Sequence, residues 1–378
     1  METAKFLLAI CIPTYNRRDY LNKCLQSVCT EITQYGLQKE VSVIISDNDS
    51  NDDTSAIVQK YIQDFDSISF AYSKNEVNVG AVNNFIKLVE ISNASYTYIL
   101  GDDDVLGEGA LQQTVQLIQA NQDVLVFHLK CQQTDFIPKG MPATRLTVYQ
   151  AASQYFYNIG NAGTFIFKTA PANAFIAQHK TRIAQTCWPQ TEIMFWILMQ
   201  QKQHQAFIAS GIELVISESH DANVIYNTWY ITETFCFSQL RIVQNIFQDY
   251  QDNQFVTSAK KAIPACQTPV KFFFRFLLFA TYYDYPYELQ KTKQLIIENK
   301  RLLKGMNYLY PLVYSILFHL PNTFKKLGTF FYFFISKPSF KKSTFDEQYA
   351  AVRAYQENKY RVYKEKGKLT AEIERYIY

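Results

Sequence analysis

The chain lacks any Cys-x-x-Cys pair, any uninterrupted apolar run of about 20 residues, any internal repeat and any low-complexity linker. Its seven cysteines stand at 11, 24, 29, 131, 187, 236 and 266, an odd number without a framework. That pattern disfavours a disulfide scaffold and a structural zinc site, and it points to a reducing compartment. The first residues, with Glu2 and Lys5, run straight into an apolar segment and resemble no signal peptide, so a cytoplasmic location is expected. A strong net charge is also missing: 37 Lys and Arg face 34 Asp and Glu over 378 residues, a net of +3. With 48% hydrophobic residues, disorder is excluded as the dominant state, and the length predicts about two domains.

The near-neutral sum hides a division. Residues 290–378 hold 17 Lys and Arg against 7 Asp and Glu, a net of +10, so the rest of the chain carries −7. The basic end is rich in aromatics. Two short amphipathic stretches at 307–319 and 323–336, followed by Lys337, Lys341 and Lys342, have the character of an interfacial anchor on an anionic membrane surface; a helical core piece beside a solvated basic face explains them equally well.

Apolar runs at 6–12, 41–45, 68–72 and 96–100 alternate with helix-like periodicity at 21–28, 56–65 and 85–89. Strand–helix alternation with short polar loops predicts an α/β fold with a mostly parallel sheet flanked by helices. Further apolar runs at 124–129, 164–167 and 214–217 and a helix at 191–201 extend it, and from residue 229 the pattern is helical. The expected domains are therefore 1–228 and a mainly α-helical region, 229–378. Polar clusters follow the strands at their carboxyl ends, the edge where open α/β sheets bind ligands. Asp47 and Asp49 lie in one cluster and Asp102, Asp103 and Asp104 in another. Three adjacent carboxylates repel one another unless a cation holds them, and hard ions such as Mg2+ or Mn2+ take oxygen ligands. Taken alone, the acidic tripeptide fits a solvated turn as well.

The order of four elements decides between those readings. They are Ala-Ile-Cys-Ile-Pro-Thr-Tyr-Asn-Arg at 9–17, Val-Ile-Ile-Ser-Asp-Asn-Asp-Ser at 43–50, Asn-Glu-Val-Asn-Val-Gly at 75–80 and Tyr-Ile-Leu-Gly-Asp-Asp-Asp at 98–104. Together they resemble family 2 of the GT-A glycosyltransferases, inverting enzymes that use nucleotide-sugar donors. The resemblance is good over 6–110 and fades towards 230; the Gly-Asp-Asp-Asp form is similar to bacterial O-antigen and capsule transferases such as abequosyltransferases. It implies a Rossmann-like GT-A sheet, a divalent metal (Mn2+ or Mg2+), and a role in surface polysaccharide or lipopolysaccharide biosynthesis. The implied partners are a nucleotide-diphosphate-sugar and a glycan acceptor, lipid-linked at an inner membrane surface, with no nucleic acid.

By that resemblance Pro13, Thr14 and Tyr15 line the nucleobase pocket, Asp47 and Asp49 meet base and ribose, and Arg17 offsets phosphate charge. Asp102 meets the ribose or a metal-bound water, Asp103 lies with the nucleotide, and Asp104 ligates the metal, joined by a late histidine, His220. An inverting transfer needs a general base. The family's usual Glu-Asp pair is missing; Glu192, behind Pro189 at a helix start, is the best match, with Asp221 in reserve. The missing pair keeps open a non-catalytic nucleotide-sugar-binding or scaffold protein. A nucleotidyltransferase fits less well, because Pro13-Thr14-Tyr15-Asn16 stands where it would carry a Gly-rich basic loop.

Overall fold

The computed structural model describes residues 5–132, 136–157, 162–184, 186–217 and 238–263. Met1–His220 and Ile242–Ala262 form one compact unit, and Asp221–Arg241 and Ile263–Tyr378 a second. The expected boundary at 228 and the whole of the basic, aromatic end at 290–378, with its two amphipathic stretches, lie outside the described residues. Among the described residues no helix is long and apolar enough to cross a membrane.

The first half alternates as the periodicity predicts: β1 (Phe6–Thr14), α1 (Arg18–Gln34), β2 (Val41–Asp47), α2 (Thr54–Asp64), β3 (Ser69–Lys74), α3 (Ala81–Ile91) and β4 (Ala94–Ile99). Then follow β5 (Asp104–Leu106), α4 (Ala110–Gln119), β6 (Val126–Cys131), β7 (Thr144–Leu146), α5 (Val148–Tyr155) and β8 (Phe165–Lys168). The last elements are α6 (Thr169–Ile183), α7 (Pro189–Met199), β9 (Phe207–Ser217), α8 (Gln239–Tyr250) and α9 (Asn253–Ala262).

The strands form one sheet in the order β3-β2-β1-β4-β8-β6-β9-β5, with β7 also on β9. The four strands from β3 to β4 are parallel, while β8 runs antiparallel between β4 and β6. Chain order reverses at β1, which lies between β2 and β4, and such a switch point opens a crevice at the carboxyl ends of the strands.

Alternation along β1 separates two packed layers. Leu8, Ile10 and Ile12 join Leu21, Leu25 and Val28 of α1 and Leu111, Val115 and Ile118 of α4 in one buried cluster. On the opposite face Cys11 Sγ reaches the Leu88 carbonyl of α3, and Thr97 Oγ1 pairs with Thr169 Oγ1 of α6 at 2.8 Å. β1 runs on through Pro13, opposite Ser46 of β2. The pairing of β1 with β4 stops at Cys11 and Ile99, so no ladder bond to β4 calls for the missing Pro13 N–H.

One face of α1 fixes the chain beyond β4. Ser27 Oγ accepts from the Leu106 N–H at 3.1 Å, and Glu31 accepts from the Gly109 and Leu111 N–H groups at 2.9 and 3.2 Å. Glu31 is buried, which raises its pKa against the lowering effect of those two amides. Its carboxylate caps the start of α4, where backbone donors have no partners within the helix. Glu31→Ala is expected to destabilise the fold by about 3 kcal/mol, because charged hydrogen bonds are lost and buried amides are left unpaired. The urea midpoint measures this, and an unchanged midpoint would contradict it.

Candidate functional site

The ends of β1, β2 and β4 bring the first-half site residues together. At the end of β1, Thr14 is buried and donates from Oγ1 to Asp102 Oδ2 at 2.8 Å. Arg17, at the start of α1, spans two carboxylates: Nη1 lies 2.9 Å from Asp102 Oδ1 and Nη2 2.8 Å from Asp103 Oδ2. Its guanidinium also lies over the Tyr20 ring, 4.9 Å from the centroid. Burial pushes the Asp102 carboxyl up to about 6, despite Arg17 and the Thr14 hydroxyl, which favour its charged form. Pro13 and Tyr15 are half-buried at the same edge.

The loop after β2 is locked from two sides. Asp47 is fully buried, and its Oδ1 accepts from the Ser50 N–H at 2.7 Å, an Asx-type closure of its own turn. Its Oδ2 accepts from the Tyr72 hydroxyl at 2.8 Å and lies 3.9 Å from Lys74 Nζ. Asp49 turns the chain with φ at 68°, a left-handed conformation that Asp tolerates better than most residues. The Asn48 N–H donates to the Thr14 carbonyl, and the Asn16 N–H to Ser50 Oγ, each at 2.9 Å, so the loops after β1 and β2 are stitched together.

A network of amide side chains backs this loop. Asn48 Oδ1 accepts from Asn75 Nδ2 and the Val79 N–H, and Asn84 Nδ2 donates to the Ser46 carbonyl. The Asn75–Gly80 segment thus acts through Asn48 rather than alone. Tyr72, Lys74, Ser50 and Asn48 were missed as site residues. For Tyr72 and Lys74 the signal was their position near the end of a strand, and for Asn48 and Ser50 their place in the polar end of the 43–50 element.

The acidic cluster was expected to be a turn after β4, but its last member opens a short strand. Asp104 begins β5, opposite Ser217 of β9, and is buried. A Cβ placed on Gly101 would lie 2.9 Å from Asp103 Oδ1 and 3.0 Å from Asp104 Oδ2. Two carboxylate oxygens therefore converge on the hollow that glycine leaves, a donor set suited to a hard divalent ion. Among the described residues no three His, Cys, Asp or Glu side chains are grouped to hold a metal by themselves. Magnesium-type ions bind through one or two carboxylates when substrate phosphates complete the shell, so the residues present fit that role.

Glu192 lies in the first turn of α7, as expected, but in a packed setting. It is fully buried, with Oε1 3.0 Å from Asn245 Nδ2 of α8 and 2.8 Å from Arg182 Nε of α6, an ion pair out of line with the N–H. Arg182 also donates to both oxygens of Asp249, at 3.0 and 2.8 Å. Burial pushes Glu192 up to about 7, against the lowering effect of Arg182 and Asn245, and its buried Oε2 has no hydrogen-bond partner. Its contacts are with α6 and α8, not with the Thr14–Asp102 group. His220 and the reserve residue Asp221 lie outside the described residues.

This sheet order, with its carboxylate-lined crevice at the switch point, is the GT-A arrangement, as the sequence led one to expect. The stretch of residues 9–171 matches the model of glycosyl transferase family 2. It is 31% identical over 118 residues to the abequosyltransferase RfbV of Salmonella typhimurium, covering 31% of this chain and 34% of that protein. It is 30% identical over 109 residues to the GalNAc(5)-diNAcBac-PP-undecaprenol beta-1,3-glucosyltransferase of Campylobacter jejuni, covering 29% of this chain and 33% of the relative. The matched stretch thus spans about a third of the length of these relatives. The crystal structure of S. aureus TarS 1-349 in complex with UDP-GlcNAc shares the fold at a TM-score of 0.54 and 16% identity, over 86% of this chain and 89% of that one.

Proposed function

We propose that the protein is a metal-dependent inverting glycosyltransferase of bacterial surface polysaccharide synthesis. In this reading a sugar moves from a nucleotide-diphosphate donor to an acceptor hydroxyl, which attacks the anomeric carbon in line as the nucleoside diphosphate departs. The observation that carries it is the meeting of Thr14 and Arg17 with Asp102 and Asp103 beside the Asp47 loop. A flat base fits between Pro13 and Tyr15, with Asp47 as acceptor for a base N–H and Asp49 towards the ribose. Asp103 and Asp104, with His220 as the expected late ligand, would hold Mn2+ or Mg2+, which supplies positive charge to the diphosphate leaving group. Arg17 adds a fixed positive charge at the same edge.

Glu192 is the proposed base. Its carboxyl, raised to about 7, suits proton abstraction near neutral pH. Its burial supports the competing reading, a nucleotide-sugar-binding protein without turnover, in which Glu192 only pairs with Arg182. The name of the Campylobacter relative supports a glycan acceptor that is lipid-linked.

A thermal-shift screen of UDP-, GDP-, CDP- and dTDP-sugars with Mn2+ tests donor binding, since a ligand of the folded state raises the melting temperature. One nucleotide class is expected to shift it and to support transfer; no shift with any donor would contradict the proposal. The basic region is proposed to contact anionic lipid headgroups near such an acceptor. Full-length chain is then expected to sediment with anionic vesicles more than a chain ending near residue 300, and equal partitioning would refute the contact.

A further inference from the structure

Arg17 is unusual among the site residues because its charge is already in use. Its guanidinium joins two different carboxylates, and Thr14 occupies the other oxygen of Asp102. Asp102 is thereby engaged on both oxygens and Asp103 on one. Asp103 Oδ1, on the other side of that carboxylate, faces the hollow at Gly101 together with Asp104 Oδ2. A divalent ion entering the hollow would sit one carboxylate away from a fixed positive charge, and like charges at that range oppose each other.

Arg17 is also able to leave. Its side chain is 36% exposed, it is held by the loop carboxylates and the Tyr20 ring, and its backbone is anchored separately through a hydrogen bond from the Leu21 N–H. A diphosphate at this edge offers a planar guanidinium a second set of paired acceptors.

We propose that Arg17 is an exchangeable latch. It serves as counter-ion to Asp102 and Asp103 while no divalent ion is bound, and it transfers to the donor's diphosphate when metal and donor enter. This rests on the metal-dependent donor site proposed above and adds a coupling between the two ligands. Nucleotide draws the guanidinium off the carboxylates and so strengthens metal binding. By thermodynamic reciprocity, metal strengthens nucleotide binding by the same factor. A lysine in its place has one compact charge and cannot span both carboxylates.

The test uses full-length wild type, Arg17→Gln and Arg17→Lys, with free Mn2+ followed by electron paramagnetic resonance, first alone and then with each of UDP, GDP, CDP and dTDP at saturation. Arg17→Gln is expected to bind Mn2+ alone about tenfold tighter than wild type, with Arg17→Lys in between. The factor by which the nucleotide that binds tightens Mn2+ binding is expected to fall by about tenfold in Arg17→Gln. If Arg17→Gln does not fold, the intermediate shift expected of Arg17→Lys decides. Mn2+ affinity in the variants equal to or weaker than wild type, or an undiminished nucleotide effect, would overturn the latch while leaving the donor site standing. A wild-type chain that binds neither Mn2+ nor any of the four nucleotides would overturn the proposed function and the latch with it.

Discussion

Asp104→Asn is expected to lower sugar transfer by about a thousandfold and to leave the melting temperature of the ligand-free protein near wild type. The substitution keeps the shape of a buried residue at the start of β5 but removes a charge from the hollow at Gly101. Charge stabilisation of a leaving group by a bound metal contributes several kcal/mol, and each 1.36 kcal/mol is a factor of ten in rate. Transfer assays across a Mn2+ series read the effect, and excess Mn2+ restores only part of the loss. Wild-type turnover in Asp104→Asn would remove this residue from the site and, with it, the reason for three consecutive carboxylates.

Glu192→Gln is expected to reduce kcat by about a hundredfold to ten-thousandfold, the usual contribution of a general base. The base must be ionised to accept the acceptor's proton. Because Glu192 is held up to about 7, wild-type kcat/KM should fall about tenfold per pH unit below that value and level off above it. In Glu192→Gln that limb should vanish, while donor binding stays intact. Should Glu192 serve only to pair with Arg182, the variant would lose stability and keep both its turnover and the acid limb. That outcome would transfer the base to another residue and strengthen the non-catalytic reading of α7.

Much of the crevice was legible because it is built from strand ends. Apolar runs with polar stops mark β1, β2 and β4, and the parallel order places Thr14, Asp47 and Asp102 on one edge. What the run of residues could not carry was the pairing across the crevice. Arg17 and Asp103 are 86 positions apart, and nothing local to either says that one guanidinium spans two carboxylates. Tyr72 gave no signal beyond its place near a strand end, since an aromatic residue in a strand most often packs, yet its hydroxyl holds Asp47. β5 is only three residues long and pairs with β9, so its origin is tertiary rather than periodic.

The second half was harder to read for a related reason. β8 runs against its neighbours, and α7 is buried all round, without the polar stripe that marks an amphipathic helix. Its first-turn carboxylate read as a candidate base, whereas the structure surrounds it with Arg182 and Asn245. One motif there was available and unused: Thr147-Val148-Tyr149-Gln150 forms a capping box at the start of α5, with the side chains of Thr147 and Gln150 each bonded to the other's backbone N–H.

The most direct measurement is a crystal structure of the chain with Mn2+ and a nucleoside diphosphate, with the metal located by anomalous scattering. The expected result is a single strong peak beside Asp103 and Asp104, with the base between Pro13 and Tyr15. A peak elsewhere, or a nucleotide bound away from the switch point between β1 and β4, would contradict the site proposed for this chain.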